Sequence, residues 1–536
     1  MTQRTVYYDP LSPLSFLRRS AFVFRDKTAV VYNDKRYTYS EFYQRVNRLA
    51  SALKRVGIGK GDKVAFLCPN IPPMLEAHYG VPMLGAALVS INIRLSPREI
   101  AYIINHSDSK ALFVDNEFAH LITAIKDELP NIKTFVNICD VNDSRPLDGP
   151  EYEEFLAGGS PDPLPNMIED EMEVITINYT SGTTGLPKGV MYHHRGAYLN
   201  ALGEALEHKM SSNSVYLWTL PMFHCNGWCF TWGVTAVGGT HVCLRKVVPE
   251  DIYHLIEREG VTHLCAAPTV LVSMANYPKA KECRMKTKLN VITAGAPPSP
   301  TVIKNMEEIG AEVTHVYGLT EVYGPHTICE WQAPWNELDT SEKAKIKARQ
   351  GVAYIHAEFV RVVDPADMTD VPADGQTMGE IVMRGNNVML GYYKQPEETE
   401  KAFRGGWFHS GDLAVMHPNG YIEIKDRLKD IIISGGENIS TVEVENCIYE
   451  HPDVLEVAVI GIPDPKWGEV PKAFVVPKPG TNPTAEEIIN FCRERIARFK
   501  VPKAVEFGEL PKTSTGKIMK YRLREKEWQG YDKRVN

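Results

Sequence analysis

From the N-terminus to Gln350, the hydrophobic positions alternate between a helical and a strand-like spacing. Apolar residues recur at helical spacing after Ser40, which we predict to cap a helix that ends at Gly57. Ser96-Pro97-Arg98-Glu99 predicts a second helix, through about Asn105. Short runs with β-branched residues predict strands at Lys63–Cys68, Ala111–Asp115, Val174–Tyr179, Val261–Ala266 and Val291–Ala294. This alternation is typical of parallel β-α-β units, so we expect an α/β fold.

Beyond Gln350 the pattern changes to short strands separated by turns. Strands are predicted at Ala357–Val363, Gly379–Arg384 and Gly420–Ile424. Asp374-Gly375 and Asn419-Gly420 are typical hairpin turns. Closely spaced strands of this kind predict a small β-barrel-like region attached to the α/β part.

A dense charge cluster at 426–430 separates this region from a C-terminal part with a different rhythm. There, Thr441 is predicted to cap one helix, and Thr484 opens a capping box for another that runs to about Ala497. Leu455–Ile462 and Lys472–Val476 are predicted strands, so the part is a compact α+β unit. We therefore predict a large N-terminal domain, a hinge and a small mobile C-terminal domain, at 1–425, 426–430 and 431–536.

Composition narrows the class of protein. The 536 residues are 43% hydrophobic and 24% charged, as in ordinary globular proteins. The formal net charge of −8 argues against nucleic acid or an anionic membrane as partner. No apolar leader is visible at the N-terminus, and the longest apolar run, Val81–Ile93, is too short to span a bilayer. The ten cysteines are scattered singly, which favours reduced thiols and a cytoplasmic location. Composition leaves the oligomeric state open, a homodimer included.

The most specific motif follows the predicted strand Val174–Tyr179. Residues 179–190 read Tyr-Thr-Ser-Gly-Thr-Thr-Gly-Leu-Pro-Lys-Gly-Val. Glycines let backbone N–H groups turn toward an anion, hydroxyls add donors, and a lysine adds positive charge. A Walker loop would need Ser or Thr directly after the lysine, and here Gly189 follows. The predicted phosphate-binding residues are Thr180, Ser181, Gly182, Thr183, Thr184, Gly185 and Lys188.

Three further motifs carry candidate chemistry. His224 and Trp228 are four apart and would share one face of a helix. The nearby cysteines suggest zinc only weakly, since no second ligand pair follows at suitable spacing.

Two turns at predicted strand ends contain small residues, which would admit a flat base. The first turn has Gly295, Ala296 and Pro297, and the second has Tyr317, Gly318, Thr320 and Glu321. Tyr317 could stack on such a base, and Glu321 could bind a hard cation. Asp412 follows a glycine and is a natural acceptor for ribose hydroxyls.

In order and spacing, these motifs resemble the signature of the adenylate-forming (AMP-binding) superfamily, and most closely its acyl-CoA synthetases. The resemblance covers residues 179 to 517, whereas residues 1–170 carry no site motif. The run from Pro221 to Gly239 is most similar to enzymes that activate short- and medium-chain, aromatic or sulfur-containing carboxylates, such as plant acyl-activating enzymes and methylmercaptopropionate-CoA ligases.

The resemblance implies roles for individual residues. It implies Lys517 as the catalytic lysine, with His224 beside the substrate carboxylate. Arg427 would contact ribose and phosphate, and Lys429 would be the hinge. Further implied groups are an acyl pocket of His224, Trp228 and Gly318, Mg²⁺ at Glu321 and Thr184, and coenzyme A at Gly435, Gly436 and Glu437. Gly318 is expected to leave space near the carboxylate.

The implied activity is an ATP-dependent ligation of a carboxylic acid to coenzyme A. The acid would attack the α-phosphorus of ATP, and the CoA thiol would then displace AMP from the acyl-adenylate. The implied cofactor set is ATP, Mg²⁺ and CoA. Two alternatives stay open at this point: a stand-alone adenylation enzyme that loads a carrier protein, and a non-catalytic nucleotide-binding homologue. A luciferase-like oxidative second step is also open, although no motif requires it.

Overall fold

The computed structural model describes residues 7–180, 186–283, 285, 287–295, 300–427, 430–435, 437–512 and 518–529. Within this part of the chain the strands fall into four sheets. In chain order they are β1 (Thr28–Tyr32), β2 (Lys35–Thr38), β3 (Lys63–Leu67), β4 (Ala87–Ser90), β5 (Ser109–Asp115), β6 (Thr134–Ile138), β7 (Val174–Tyr179), β8 (Gly189–His193), β9 (Val215–Leu217), β10 (Thr240–Val242), β11 (His263–Ala266), β12 (Leu289–Thr293), β13 (Ala311–Leu319), β14 (Gly324–Ile328), β15 (Val352–Ala353), β16 (Ala357–Val363), β17 (Met378–Gly385), β18 (Gly391–Tyr392), β19 (Phe408–Met416), β20 (Ile422–Arg427), β21 (Ile432–Ser434), β22 (Glu437–Ile439), β23 (Val454–Asp464), β24 (Gly468–Pro477) and β25 (Ala504–Phe507).

The helices lie mostly between and around the two large sheets of the N-terminal domain. They are α1 (Leu14–Val23), α2 (Tyr39–Arg55), α3 (Pro72–Gly80), α4 (Pro97–His106), α5 (Ala119–Thr123), α6 (Tyr152–Ala157), α7 (His194–Glu207), α8 (Cys225–Trp228), α9 (Phe230–Ala236), α10 (Pro249–Glu259), α11 (Pro268–Ala275), α12 (Pro300–Glu308), α13 (Thr340–Lys347), α14 (Pro396–Ala402), α15 (Thr441–Tyr449), α16 (Ala485–Arg493) and α17 (Lys520–Glu527).

Two large sheets build the N-terminal domain. One has the order β18-β8-β7-β4-β3-β5-β6, and the other has the order β15-β14-β13-β12-β11-β9-β10-β1-β2. Neighbours from β7 to β6 are parallel, and so are those from β13 to β1. The predicted α/β fold is confirmed. The predicted barrel-like region is an antiparallel sheet in the order β16-β17-β19-β20.

A small C-terminal domain has its own sheet and its own core. Its strands run β22-β21-β24-β23, with β25 alongside β24. Helices α15 and α16 cover it, and their apolar residues form a cluster separate from the main core, with Val444, Ile448, Ile488 and Cys492 buried. The large and small domains that the sequence predicts are therefore both present.

Helix capping explains where several helices begin. Ser96 caps α4 and Thr484 caps α16, each with the predicted capping box. Two predictions were wrong by one or two positions, since Thr38 and not Ser40 caps α2, and Ser440 and not Thr441 caps α15. Helix α16 also ends at Arg493, before the predicted Ala497. All ten cysteines lie in the described residues and are free thiols, as expected.

The main core lies where the two large sheets face each other across α2, α3, α7 and α9. It is rich in buried aromatic side chains, among them Phe42, Tyr79, Trp218 and Trp232. Tyr192 of β8 stacks on Tyr323, which follows β13, with ring centroids 3.8 Å apart. The ends of β8 and β13 therefore meet, and the motifs that follow β7 and β13 lie at this junction.

Candidate active site

The phosphate-loop motif is closed at its base like a hairpin. Strands β7 and β8 are antiparallel, with Tyr179 opposite Gly189. Thr180 donates its backbone N–H to the carbonyl of Lys188 at 3.0 Å. Lys188 in turn donates its backbone N–H to Thr180 Oγ1 at 3.2 Å. Thr180 and Lys188, the two ends of the motif, therefore leave and re-enter the sheet at one point.

Lys188 is held over an aromatic ring. Its Nζ lies 4.7 Å from the ring centroid of Tyr392 and 2.5 Å from Glu398 Oε2. Tyr392 reaches this place because β18 pairs with β8. The hydroxyl of Tyr392 donates to Glu321 Oε1 at 2.9 Å. One tyrosine thus contacts both the loop lysine and the candidate metal ligand.

Glu321 lies in a 3₁₀ turn, Thr320–Val322, directly after β13. Glu321 is half-buried, and desolvation raises its pKa, while the Tyr392 hydroxyl and the cations of Arg427 and Lys188 act in the opposite direction. A single carboxylate that faces nucleotide phosphates suits Mg²⁺, which prefers one or two carboxylates together with phosphate and water oxygens. The donor chemistry at Glu321 therefore fits this ion.

The candidate nucleoside side lies across the second sheet. Thr293 of β12 pairs with His315 of β13, so Gly295 is level with Tyr317. The Cβ direction of Gly295, at φ +94°, meets open space. Tyr317 is almost fully buried and donates its hydroxyl to Asp412 Oδ2 at 2.7 Å. The register therefore places Gly295 beside the end of β13, with open space in the direction of its missing side chain.

Asp412 is anchored from two sides. Its Oδ2 accepts from Tyr317, and its Oδ1 lies 3.3 Å from Arg427 Nε. Arg427 stands opposite Asp412 in the β19–β20 pairing. Each carboxylate oxygen has a second lone pair, so both can still accept a hydroxyl. The structure thus brings Tyr317, Asp412 and Arg427 together.

The segment that holds His224 and Trp228 is not an ordinary helix. Five consecutive residues from 225 to 229 are left-handed, with φ of 48°, 43°, 59°, 53° and 63°. Only Gly227 adopts this region freely, and each other residue there costs about 1–2 kcal/mol. His224 and Trp228 therefore do not share a right-handed helical face, and that expectation was wrong. Local strain of this kind clusters at functional sites.

Trp228 packs against the strand that follows the Glu321 turn. A Cβ added at Gly324 would lie 2.7 Å from Trp228 Cδ1, so the indole occupies the place of a side chain there. Trp228 is only 5% exposed. The need for glycine at position 318 differs from the one expected. A Cβ there would lie 1.7 Å from the carbonyl oxygen of Gly324. Its lack of a side chain allows β13 and β14 to pair, and the expectation of open space there was wrong.

The turn of residues 224–229 also touches the Glu321 turn. The thiol of Cys225 lies 3.5 Å from Thr320 Oγ1 and 3.7 Å from His224 Nε2. Burial raises the pKa of Cys225 to about 12, so it stays a neutral thiol. His224 is half-buried beside it. The predicted acyl-pocket residues and the predicted metal ligand therefore adjoin.

Gly435 and Glu437 of the predicted CoA segment lie at the β21–β22 hairpin, where Ser434 pairs with Glu437. Gly435 has φ +61°, and its Cβ would lie 2.7 Å from Trp467 Cε3. Its N–H donates to the Trp467 carbonyl at 2.7 Å. Trp467 itself is 46% exposed, and Glu437 is exposed nearby. A half-exposed indole thus lies over the glycine that was expected to admit a slender substrate.

The described part of the C-terminal tail is fastened to the hinge region. Asp430 accepts from Arg524 of α17 at 2.5 Å, and Lys520 lies 2.7 Å from Glu445. On the other side of the hinge, Asp426 accepts the N–H of Thr441 at 2.6 Å. Several predicted residues lie outside the described residues: Ser181, Gly182, Thr183, Thr184, Gly185, Ala296, Pro297, Lys429, Gly436 and Lys517.

Sequence reasoning missed Tyr392, Glu398 and Trp467. No spacing rule points to Tyr392, because it reaches the site only through the pairing of β18 with β8. Among the residues described, no group of three or more His, Cys, Asp or Glu side chains is placed to hold a metal ion. The helices found there include none with the length and apolarity needed to cross a membrane.

Comparison with known proteins decides the family. The family model described as AMP-binding enzyme matches residues 17–393, and that of the AMP-binding enzyme C-terminal domain matches residues 443–517. The chain belongs to the AMP-binding enzyme family. It is 53% identical to 4-hydroxybutyrate–CoA ligase 2 of Metallosphaera sedula over 97% of this chain and 95% of that protein. It is 48% identical to the peroxisomal acetate/butyrate–CoA ligase of Arabidopsis thaliana, with the same coverage.

A solved structure agrees with this assignment. ATP-bound MatB from Rhodopseudomonas palustris superposes with a TM-score of 0.85 at 27% identity, over 97% of this chain and all of that one. This AMP-binding enzyme is an ATP-dependent acyl-CoA ligase that forms an acyl-adenylate and uses ATP, Mg²⁺ and CoA. The resemblance stated from the sequence is confirmed.

Proposed function

We propose that this ligase activates a short-chain carboxylic acid, with four-carbon acids such as butyrate and 4-hydroxybutyrate as its best substrates. The buried indole of Trp228, which packs on Gly324, supports this proposal. With the substrate carboxylate at His224, the indole would limit how far an acyl chain can extend. The names of two relatives, a 4-hydroxybutyrate ligase and an acetate/butyrate ligase, point to the same size.

We assign the first half-reaction to the residues that converge on Tyr392 and Asp412. The carboxylate oxygen of the acid attacks the α-phosphorus of ATP, and the bond to the pyrophosphate oxygen breaks. Thr180 and Lys188 would hold the leaving phosphates, and Asp412 would accept the ribose hydroxyls. Lys517 would neutralise charge at the α-phosphate, since both reactants are anions. Mg²⁺, when bound at Glu321, screens phosphate charge.

The second half-reaction needs a different face of the small domain. The CoA sulfur attacks the acyl carbonyl as a thiolate, and AMP leaves with the electron pair of the broken C–O bond. Gly435 and Glu437 would border the path of the thiol, and Lys429 would be the pivot that exchanges this face for Lys517. The domain limits 1–425, 426–430 and 431–536 follow from that pivot.

An acid panel tests the substrate proposal. Release of AMP in the presence of ATP, Mg²⁺ and CoA is measured with acetate, butyrate, 4-hydroxybutyrate, hexanoate, cinnamate and 3-methylthiopropionate. We expect the highest kcat/KM with the two four-carbon acids. A higher value with hexanoate or with the aromatic or sulfur-containing acid would contradict the proposal.

The same assay addresses the alternatives. Formation of a thioester with free CoA, detected by mass, separates a CoA ligase from an enzyme that loads a carrier protein. We further propose a cytoplasmic location and a homodimer. The Arabidopsis relative is peroxisomal by name, so fractionation of cells that make this protein is the direct test of location. Light scattering is the test of the dimer.

A further inference from the structure

The left-handed turn of residues 224–229 needs an anchor, because its sequence does not favour its conformation. Trp228 is a bulky residue at φ +53°, and Cys225 and Cys229 are also left-handed. Among non-glycine residues, asparagine tolerates this region best. Asn226 has φ 43° and ψ 45°. Its backbone strain is therefore smaller than that of the other non-glycine residues in the turn, and its side chain can form hydrogen bonds.

Asn226 is fully buried, and its side chain is bonded on both ends. Its Oδ1 accepts from Thr176 Oγ1 at 2.5 Å and from Asn178 Nδ2 at 2.6 Å. Its Nδ2 donates to His78 Nε2 at 2.9 Å. Its own backbone N–H donates to Asn178 Oδ1 at 3.2 Å. These bonds join the turn to β7 and to α3.

The state of His78 makes this network self-consistent. His78 lies in α3 and donates from Nδ1 to the carbonyl of Met74 at 2.7 Å, so its Nε2 is free to accept from Asn226. Burial lowers the pKa of His78 to about 4, which keeps the ring neutral. All four hydrogen bonds of Asn226 thus join a donor to an acceptor, as a buried network requires.

The partners of Asn226 lead directly to the other side of the site. Thr176 and Asn178 lie on β7, which ends beside Thr180 at the base of the phosphate loop. Asn226 itself lies in the turn that carries His224 and Trp228. We propose that Asn226 is a positioning residue that fixes the acyl side of the site relative to the phosphate strand and thereby sets substrate selectivity. This inference rests on the acyl role proposed above for His224 and Trp228.

Variants at Asn226 separate anchoring from backbone strain. Asn226→Gly keeps full tolerance of the left-handed backbone but removes the side-chain bonds, whereas Asn226→Ala removes the bonds and adds strain. Thr176→Val removes one hydroxyl at constant shape and serves if the Asn226 variants fail to fold. Asn137→Gly is the matched control, since this buried asparagine of β6 bonds to the carbonyls of Leu147 and Gly149 at 3.0 Å.

The first measurement is hydrogen exchange of the peptide that covers residues 222–230. We expect faster exchange in Asn226→Gly and Thr176→Val, and wild-type exchange of this peptide in Asn137→Gly. The second is kinetic. In Asn226→Gly we expect the KM for butyrate to rise by about tenfold or more, the preference for butyrate over hexanoate to shrink, and the KM for ATP to stay within about twofold.

The outcomes are distinct. Unchanged exchange, or an Asn226→Gly enzyme with wild-type KM and selectivity, overturns the inference. An equal loss of kcat for every acid, with a lower melting temperature and an unaltered preference, also overturns it, because that result means only a packing role. If the wild-type enzyme accepts none of the short acids, the proposed function fails instead, and the exchange data still decide whether Asn226 anchors the turn.

Discussion

At the scale of single residues, Tyr392 links two charges of opposite sign. Its ring lies against Lys188 and its hydroxyl donates to Glu321. Burial raises the pKa of Glu321, and the hydroxyl counteracts this by stabilising the charged form. Tyr392→Phe keeps the ring but removes the donor, so the pKa of Glu321 should rise further. Because the ionised carboxylate is the form that binds a cation, we expect the acid limb of the kcat/KM profile for ATP to move to higher pH.

The measurement is pyrophosphate exchange between pH 5.5 and pH 9 at saturating butyrate, with Mg²⁺ varied. At the alkaline end Tyr392→Phe should approach the wild-type rate, since Glu321 is then ionised in both enzymes. A profile that drops by the same factor at all pH values would mean that the hydroxyl matters for packing and not for the charge of Glu321.

Trp228 is the residue whose size should set chain length. Trp228→Ala would open a large cavity at a buried position and cost about 3–5 kcal/mol of stability, so Trp228→Phe is the better probe. A ring smaller than indole makes room for about one methylene, worth about 0.8 kcal/mol. The ratio of kcat/KM for pentanoate over butyrate should then rise roughly fourfold.

Melting temperature is recorded for the same Trp228→Phe protein. A uniform decline for all acids, together with a lower melting temperature, would show that the indole packs the fold and does not contact the acyl chain. A shift in the ratio at near-constant melting temperature is the expected result.

At the scale of elements, α14 pairs with the lysine that we propose holds the phosphates of the nucleotide. Glu398 of α14 lies 2.5 Å from Lys188 and 2.9 Å from Lys401, and the hydrogen bond from Lys188 leads the causes that lower the pKa of Glu398 to about 2. Both partners of the Lys188 pair are about one-third exposed, so solvent weakens it. Glu398→Gln should free Lys188 for phosphate and lower the KM for ATP by roughly twofold.

Glu397→Gln is the control for this experiment, because it removes the same charge from the neighbouring position of α14. The difference between the two variants should shrink as salt is raised, since exposed charges are screened. An increase in the KM for ATP in Glu398→Gln would indicate that Glu398 holds Lys188 in its working position.

Elements also show what the sequence can predict. In α2, α4, α15 and α16, the N-cap is a hydroxyl residue with a glutamate three positions later. For α2 the pair is Thr38 and Glu41, and for α15 it is Ser440 and Glu443. Ser40 and Thr441 also carry hydroxyls but have Tyr43 and Val444 three positions later, so the glutamate spacing distinguishes the true caps from them. Boundaries of this kind depend on neighbours within one turn, so local rules suffice.

The left-handed turn of residues 224–229 follows no local rule. Its residues have no shared preference for positive φ, and Asn226 is fixed by partners about 50 and 150 residues away in sequence. The proposed nucleotide-binding residues Thr180 and Glu321 could be found from the sequence because Thr180 directly follows β7 and Glu321 lies in the turn directly after β13. The contacts among them, such as Tyr392 with Glu321, depend on strand pairings that hydrophobic periodicity does not specify.

At the scale of the whole molecule, the proposed pivot at Lys429 should separate the two half-reactions. Proline fixes φ near −65°, so Lys429→Pro should hold one domain orientation. We expect pyrophosphate exchange to persist and thioester formation from supplied butyryl-adenylate to collapse. Lys517→Ala is the opposite control, with adenylation slowed by about 10²-fold or more and thioester formation largely kept. Unchanged overall turnover in Lys429→Pro would argue against the pivot.

The order of strands in the two large sheets has a consequence for synthesis. Strand β1 pairs with β10, and β8 pairs with β18, so partners are separated by about 200 residues in each case. Strand β1 can pair at once with β2, but residues through Val242 must be made before β1 gains its second neighbour, and residues through Tyr392 before β18 can complete the edge of the other sheet. Long-range pairing of this kind is slow and leaves apolar strands uncovered. We therefore expect the nascent N-terminal segment to expose apolar strands until its late partners are made, so slow translation should lengthen the time for which it needs a chaperone.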